Sequence, residues 1–91
     1  MSKEEVLRDS FVSIKTDARF TEAVVTLRDE SLLYFCHRVG ERWAKAVGPE
    51  GNEGGCSQEL LDAIRMFRLN AKHLEILFDG GSCWEWRPES V

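Results

Sequence analysis

The stretch His73-Leu74-Glu75-Ile76-Leu77-Phe78-Asp79-Gly80-Gly81-Ser82-Cys83-Trp84-Glu85-Trp86-Arg87 decides how this chain folds. Leu74, Ile76 and Phe78 alternate with Glu75, Leu77 and Asp79. A glycine-rich break follows, and Trp84 and Trp86 then resume the alternation around Glu85. Apolar residues at period two on both sides of a glycine turn read as a β-hairpin. The length of the loop sets which residues face each other. A two-residue Gly80-Gly81 loop would oppose Leu77 to Trp84 and Glu75 to Trp86, with Glu85 among the apolar side chains. A three-residue Gly80-Gly81-Ser82 loop, with one glycine left-handed, opposes Phe78 to Trp84, Ile76 to Trp86 and Glu75 to Arg87. A slip of one residue exchanges the faces of a strand, so only the longer loop buries both tryptophans and pairs opposite charges. Cross-strand aromatic and charged pairs each stabilise by roughly 0.2–1 kcal/mol. The longer loop is therefore expected, with Pro88 ending the strand because it has no N–H to give the ladder.

Working outward, Ser57 is expected to cap an amphipathic helix that carries Leu60, Leu61, Ile64, Phe67 and Ala71 on one face, with Asn70 as a left-handed stop. The glycine-rich stretch 48–56 before it reads as a flexible surface loop, too short to divide the chain into two domains. Further back, Ala23-Val24-Val25-Thr26-Leu27 is strand-like, Arg28 to Ser31 a turn, Leu32 to Val39 a second strand and Arg42 to Val47 a third. Leu32, Cys36, Val39, Trp43 and Val47 also fit a helical stripe. Gly40 would cost that helix about 1 kcal/mol relative to Ala, and the dense Leu32–Cys36 run favours strands. Ser2-Lys3-Glu4-Glu5 has the spacing of a capping box opening a short helix with Val6 and Leu7 inward. Phe11 and Ile14 continue that helical face or open a strand; the pattern fits both. The expected fold is a single α+β domain over residues 1–91. An antiparallel sheet of about five strands, meander plus C-terminal hairpin, packs on one main helix, with a short helix at the N-terminus. Thr26-Leu27-Arg28-Asp29-Glu30-Ser31, followed by apolar residues, also echoes Ile76-Leu77-Phe78-Asp79-Gly80-Gly81-Ser82, followed by Cys83 and Trp84, each after a helix, as though one α–β–β unit were used twice.

Composition bounds the function. Ninety-one residues with 43% hydrophobic and 10% aromatic content support one modest core. A net charge of −4 disfavours broad binding to nucleic-acid backbones or anionic membranes. No apolar run follows the N-terminal residues as a signal peptide requires, and none approaches the ~18 residues of a membrane span. Three cysteines are too few and odd in number for a disulfide framework, so reduced thiols in a cytoplasmic protein are expected.

Sites are sparse. Cys36, His37, Cys56, His73 and Cys83 lack the C-x2-C or H-x3-H spacing that delivers paired ligands to zinc, and no metal or cofactor is expected. Cys36 and His37, adjacent on a strand, point to opposite faces and cannot form a nucleophile–base dyad. Cys56 before the capped helix is the candidate for a reactive thiol, opposed by Glu53 and Glu59. The loop over 48–55 has no lysine for a phosphate. The order helix, three strands, helix is shared with the double-stranded RNA-binding domain, but Cys56-Ser57-Gln58-Glu59 lacks that family's lysine-rich helix start. No nucleophile elbow or apolar-embedded carboxylate pair is present, so a catalytic role is not expected. A non-catalytic protein-interaction module is: a homodimer, adaptor or inhibitor. Tyr34, Arg38, Arg42, Trp43 and Lys45 are the candidate contacts, since Trp, Tyr and Arg dominate interface energetics. Nucleic-acid association through the same patch is the alternative.

Overall fold

Ser2 opens the first helix as its capping spacing requires, its Oγ accepting the Glu5 N–H at 3.2 Å. Our computed structural model describes residues 2–51, 55–70 and 73–88. Along them run α1 (Lys3–Ser10), β1 (Phe11–Thr16), β2 (Glu22–Leu27), β3 (Leu32–Arg38), β4 (Glu41–Val47), α2 (Gly55–Asp62), β5 (Ile64–Asn70), β6 (His73–Phe78) and β7 (Cys83–Trp86). The α+β class stands, but the strands form two antiparallel meanders, β1-β2-β3-β4 and β5-β6-β7, in place of one sheet of about five. Phe11 and Ile14 belong to a strand, and residues 32–47 are two strands, not a helix.

The second helix is the largest correction. It ends at Asp62, Ser57 is buried within it and does not cap it, and Ile64, Phe67 and Asn70 lie on β5. Ala71 falls outside the described residues. The cause is a bulge between Ile64 and Met66, which inserts one residue so that Ile64 and Phe67 both face the core, opposite Phe78 and Ile76. Apolar residues three apart then mimic helical spacing. The same irregularity lies between Phe11 and Ser13, which puts Phe11 and Ile14 on one face of β1. Of the 48–56 stretch, Gly48 to Gly51 is a turn closed by the Gly51 N–H donating to the Gly48 carbonyl at 3.0 Å. Gly55 and Cys56 already belong to α2.

The C-terminal hairpin has the expected loop length in a different place. Phe78 N–H donates to the Ser82 carbonyl at 2.9 Å and Gly81 N–H to the Phe78 carbonyl at 2.9 Å, enclosing Asp79-Gly80-Gly81 with Gly81 at φ +92°. Ile76 therefore opposes Trp84, Leu74 opposes Trp86, and Glu75 opposes Glu85, not Arg87. The shift is two residues, which preserves the faces: Trp84 is 5% exposed and Trp86 is half-buried against the core. What it removes is the charge pair on which the sequence argument leaned.

One unit is built twice. Leu27 N–H donates to Ser31 O at 2.9 Å as Phe78 does to Ser82. Glu30 N–H donates to Leu27 O at 3.0 Å as Gly81 does to Phe78. Arg28 N–H reaches Ser10 O at 2.6 Å just as Asp79 N–H reaches Ala63 O at 2.8 Å, tying each helix end to the following turn. Leu7 and Leu60, each fully buried, hold the same place on α1 and α2. Glu30, at φ +71°, occupies the left-handed position that Gly81 fills in the second turn. The units differ at their outer side, where β4 extends the first sheet and β7 closes the second.

The inner faces share one core: Leu7, Ala23, Val25, Leu27, Leu33, Phe35 and Ala46 from the first unit, with Leu60, Phe67, Leu69, Leu74, Ile76, Phe78 and Trp84 from the second. Phe35 meets Phe67 edge-on at 5.1 Å between ring centroids, and Phe11 meets Trp84 at 6.4 Å. These contacts join β3 to β5 and β1 to β7 across the two sheets.

Candidate functional site

Alternation along β3 and β4 sorts the five candidate contacts. Tyr34 opposes Lys45, Cys36 opposes Trp43 and Arg38 opposes Glu41, all on the outer face of the four-stranded sheet. Arg42 opposes His37 on the other face. The structure thus brings Tyr34, Arg38, Trp43 and Lys45 onto one surface and turns Arg42 away from them. Val24 extends that surface beside Tyr34, and Leu32 and Val47 lie along it, half-buried. Arg38 is tied to Glu22 by a hydrogen-bonded ion pair across β2 and β3, so its charge is neutralised on the spot. The cationic patch is split between two faces and partly satisfied within the chain.

Arg42 has a different neighbourhood. Its guanidinium sits 5.0 Å above the ring of Phe67, a cation–π contact between the first sheet and β5. Beside it, His37 Nδ1 lies 3.1 Å from the Leu69 carbonyl oxygen; since a carbonyl only accepts, the proton of a neutral ring sits on Nδ1. These two residues clamp the end of the β3–β4 hairpin onto β5. Between β4 and the α2–β5 corner lies a groove of about 370 Å³ lined by Arg42, Trp43, Leu61, Arg65, Met66 and Phe67, among others. Trp43 is 45% exposed, large for an indole in a strand. Sequence reasoning did not connect Arg65, Met66 and Phe67 with Trp43, because it placed them on a helix. The signal that could have done so is the Ile64-x-x-Phe67 spacing, which repeats Phe11-x-x-Ile14.

None of the three cysteines is in a disulfide among the described residues. Cys36 is buried between neighbouring strands with His37 on the opposite face, and Cys56 is half-buried inside α2. The Cys83 thiol is pushed above its usual range, first by loss of solvent and then by the charges of Glu75, Glu85 and Glu4. Asp17, in the β1–β2 turn, is moved the other way. The Thr21 hydroxyl contributes most, joined by the Glu22 N–H at 2.9 Å and the Thr21 N–H at 2.7 Å, and together they hold its carboxyl below the ordinary 3.8. That network fixes a turn in which Phe20 adopts φ +55°.

With this geometry in place, the class the fold defines is a two-sheet α+β domain made of a repeated unit. No family model, curated protein or solved structure matches the chain. Among the described residues, no helix is long and apolar enough to cross a membrane.

Proposed function

We propose that this protein is a small non-catalytic interaction module that holds an extended segment of a partner protein, or of a second copy, along β4. The observation that carries the reading is the position of β4 at the edge of its sheet, with α2 beside it. This strand of seven residues ends its sheet and borders the groove that Trp43, Arg42 and Arg65 line. An edge strand presents unpaired N–H and C=O groups that an added strand completes, and side-chain pockets beside it give selectivity. Indole and guanidinium groups are the usual energetic anchors of such contacts. Two arginines in one groove favour a partner segment that carries a carboxylate among apolar residues. We assign it to the cytoplasm on the support of its three free thiols.

Affinity purification with matched baits tests the reading. A partner retained by the wild type and lost by Trp43→Ser and Arg42→Glu supports it, provided both variants melt within a few degrees of the wild type. Identical retention by all three baits removes β4 as the contact surface. The self-association version is decided by light scattering: a mass of 10.4 kDa at every concentration eliminates it.

A further inference from the structure

On the opposite sheet, far from β4 in the chain, three donor groups converge. His73 and Glu75 stand two apart on β6, and Glu85 lies directly across from Glu75 on β7, so all three share the outer face. His73 Nε2 is 3.9 Å from Glu75 Oε2 and 3.6 Å from Glu85 Oε1, and the three ligand atoms lie within 4.8 Å of one another. These separations exceed hydrogen-bond length. The two distances from His73 Nε2 are close to that between neighbouring ligands around a tetrahedral ion, about 3.3–3.5 Å for bonds of 2.0–2.1 Å.

The repeated unit serves as an internal control on what the fold requires here. The positions corresponding to Glu75 and Glu85 in the first unit are Val24 and Tyr34, paired in the same way. The scaffold therefore builds this pair without carboxylates, and placing two like charges directly opposite opposes strand pairing. The imidazole is also poorly served. Its Nδ1 is buried with no hydrogen-bond partner among the described residues, and the ring is 17% exposed. A proton on Nε2 finds both carboxylates beyond hydrogen-bond reach. A proton on Nδ1 instead turns the Nε2 lone pair toward two anionic oxygens. A cation held between Nε2 and the carboxylates removes the repulsion in each case. Arg87, 3.6 Å from Glu85 Oε1, is exposed, and Arg68 stands across from Glu75 on β5; both cations flank the carboxylates from outside and leave the space between them and Nε2 open.

We propose that His73, Glu75 and Glu85 form a binding site for a divalent transition-metal ion, zinc by preference. One imidazole and two carboxylates suit zinc among the borderline ions, whereas calcium prefers six to eight oxygens. Three protein ligands leave a fourth position for water or a partner's side chain. The site stands independently of the β4 surface, and neither depends on the other.

Zinc chloride titrated into the purified protein, with a chromophoric chelator as competitor, measures the affinity, and thermal melting gives a second readout. Glu75→Gln and Glu85→Gln are the informative variants, since each keeps the side-chain shape and removes a charge. Both are expected to melt at or above the wild-type temperature in chelator, to bind zinc on the order of tenfold or more weakly, and to lose the zinc-dependent rise in melting temperature. His73→Gln should behave likewise toward zinc. Cys56→Ser and Cys83→Ser should retain the wild-type affinity. The proposal is overturned if the wild type binds no zinc, if the Glu75→Gln/Glu85→Gln double variant binds it as tightly as the wild type, or if only the cysteine variants lose it.

Discussion

Trp84 and Trp86 sit two residues apart on β7, yet they differ in what their removal costs. Trp84 is 5% exposed, meets the Phe11 ring at a tilt and opposes Ile76, so Trp84→Ala should cost about 3–5 kcal/mol. Trp86 is only half-buried, and Trp86→Ala should cost roughly half that. Urea denaturation of the two variants checks the order; equal losses would mean that the register is misassigned. Asp17 gives a residue-scale prediction about pH. Its folded carboxyl releases its proton more readily than an unfolded aspartate does, so its contribution is present above the ordinary 3.8 and is lost as pH falls through the folded value. Between about pH 5 and about pH 2, the wild type should lose more stability than Asp17→Ala in the same denaturation experiment. Parallel curves would dismiss the Asp17–Thr21–Glu22 network as a stabilising feature. At this scale the sequence misled in one respect. Opposite charges were expected to meet at Glu75 and Arg87, but turn geometry outranks a surface ion pair worth about 0–1 kcal/mol, and Glu75 faces Glu85.

Strands at regular period were legible and bulged strands were not. β2 and β6 alternate cleanly and β3 carries a dense apolar run, and the sequence places β2, β3, β4 and β6 to within a residue or two. β1 and β5 each carry a bulge near their first residue, and the extra residue turns a period of two into a spacing of three. For that one reason Phe11-x-x-Ile14 fits helix and strand alike, and Ile64-x-x-Phe67 reads as the continuation of a helix. The turns that follow show how a single element tolerates different residues. Glu30 adopts φ +71° where Gly81 adopts φ +92°. Glu30→Gly should therefore stabilise the protein by roughly 1 kcal/mol, and Gly81→Ala should destabilise it by a similar amount. A Cβ at either Gly80 or Gly81 meets nothing within 4 Å, so any difference between them is conformational and not steric. Gly80→Ala should stay within about 0.5 kcal/mol of the wild type, and denaturant midpoints of the three variants decide the matter.

Across the whole molecule, the two units complete each other. Neither unit covers its inner sheet face alone; the core takes half of its members from each. The proposed contact strand β4 and the donor cluster on β6 and β7 belong to different units: β4 has no counterpart in the second unit, while Glu75 and Glu85 stand where the first unit has Val24 and Tyr34. The sequence revealed the candidate aromatics Tyr34 and Trp43 by residue type. It could not reveal the groove, which requires β5 as a strand, nor the meeting of His73 with Glu85, which requires the true register. Unfolding should be two-state, with calorimetric and van't Hoff enthalpies equal, because the shared core leaves no unit stable without the other. Two separate transitions would refute the shared core.

The turn at Gly48–Gly51 joins these halves after β4 is complete and before α2 begins. A peptide bond cut there severs no sheet ladder, since β4 ends at Val47 and α2 begins at Gly55. The protein should accordingly survive as a nicked heterodimer, and its halves, expressed as separate polypeptides, should recover the native spectrum on mixing though each alone is unstructured. Split in this way, the molecule becomes a reconstitution pair whose reassembly reports on whatever brings the two fragments together.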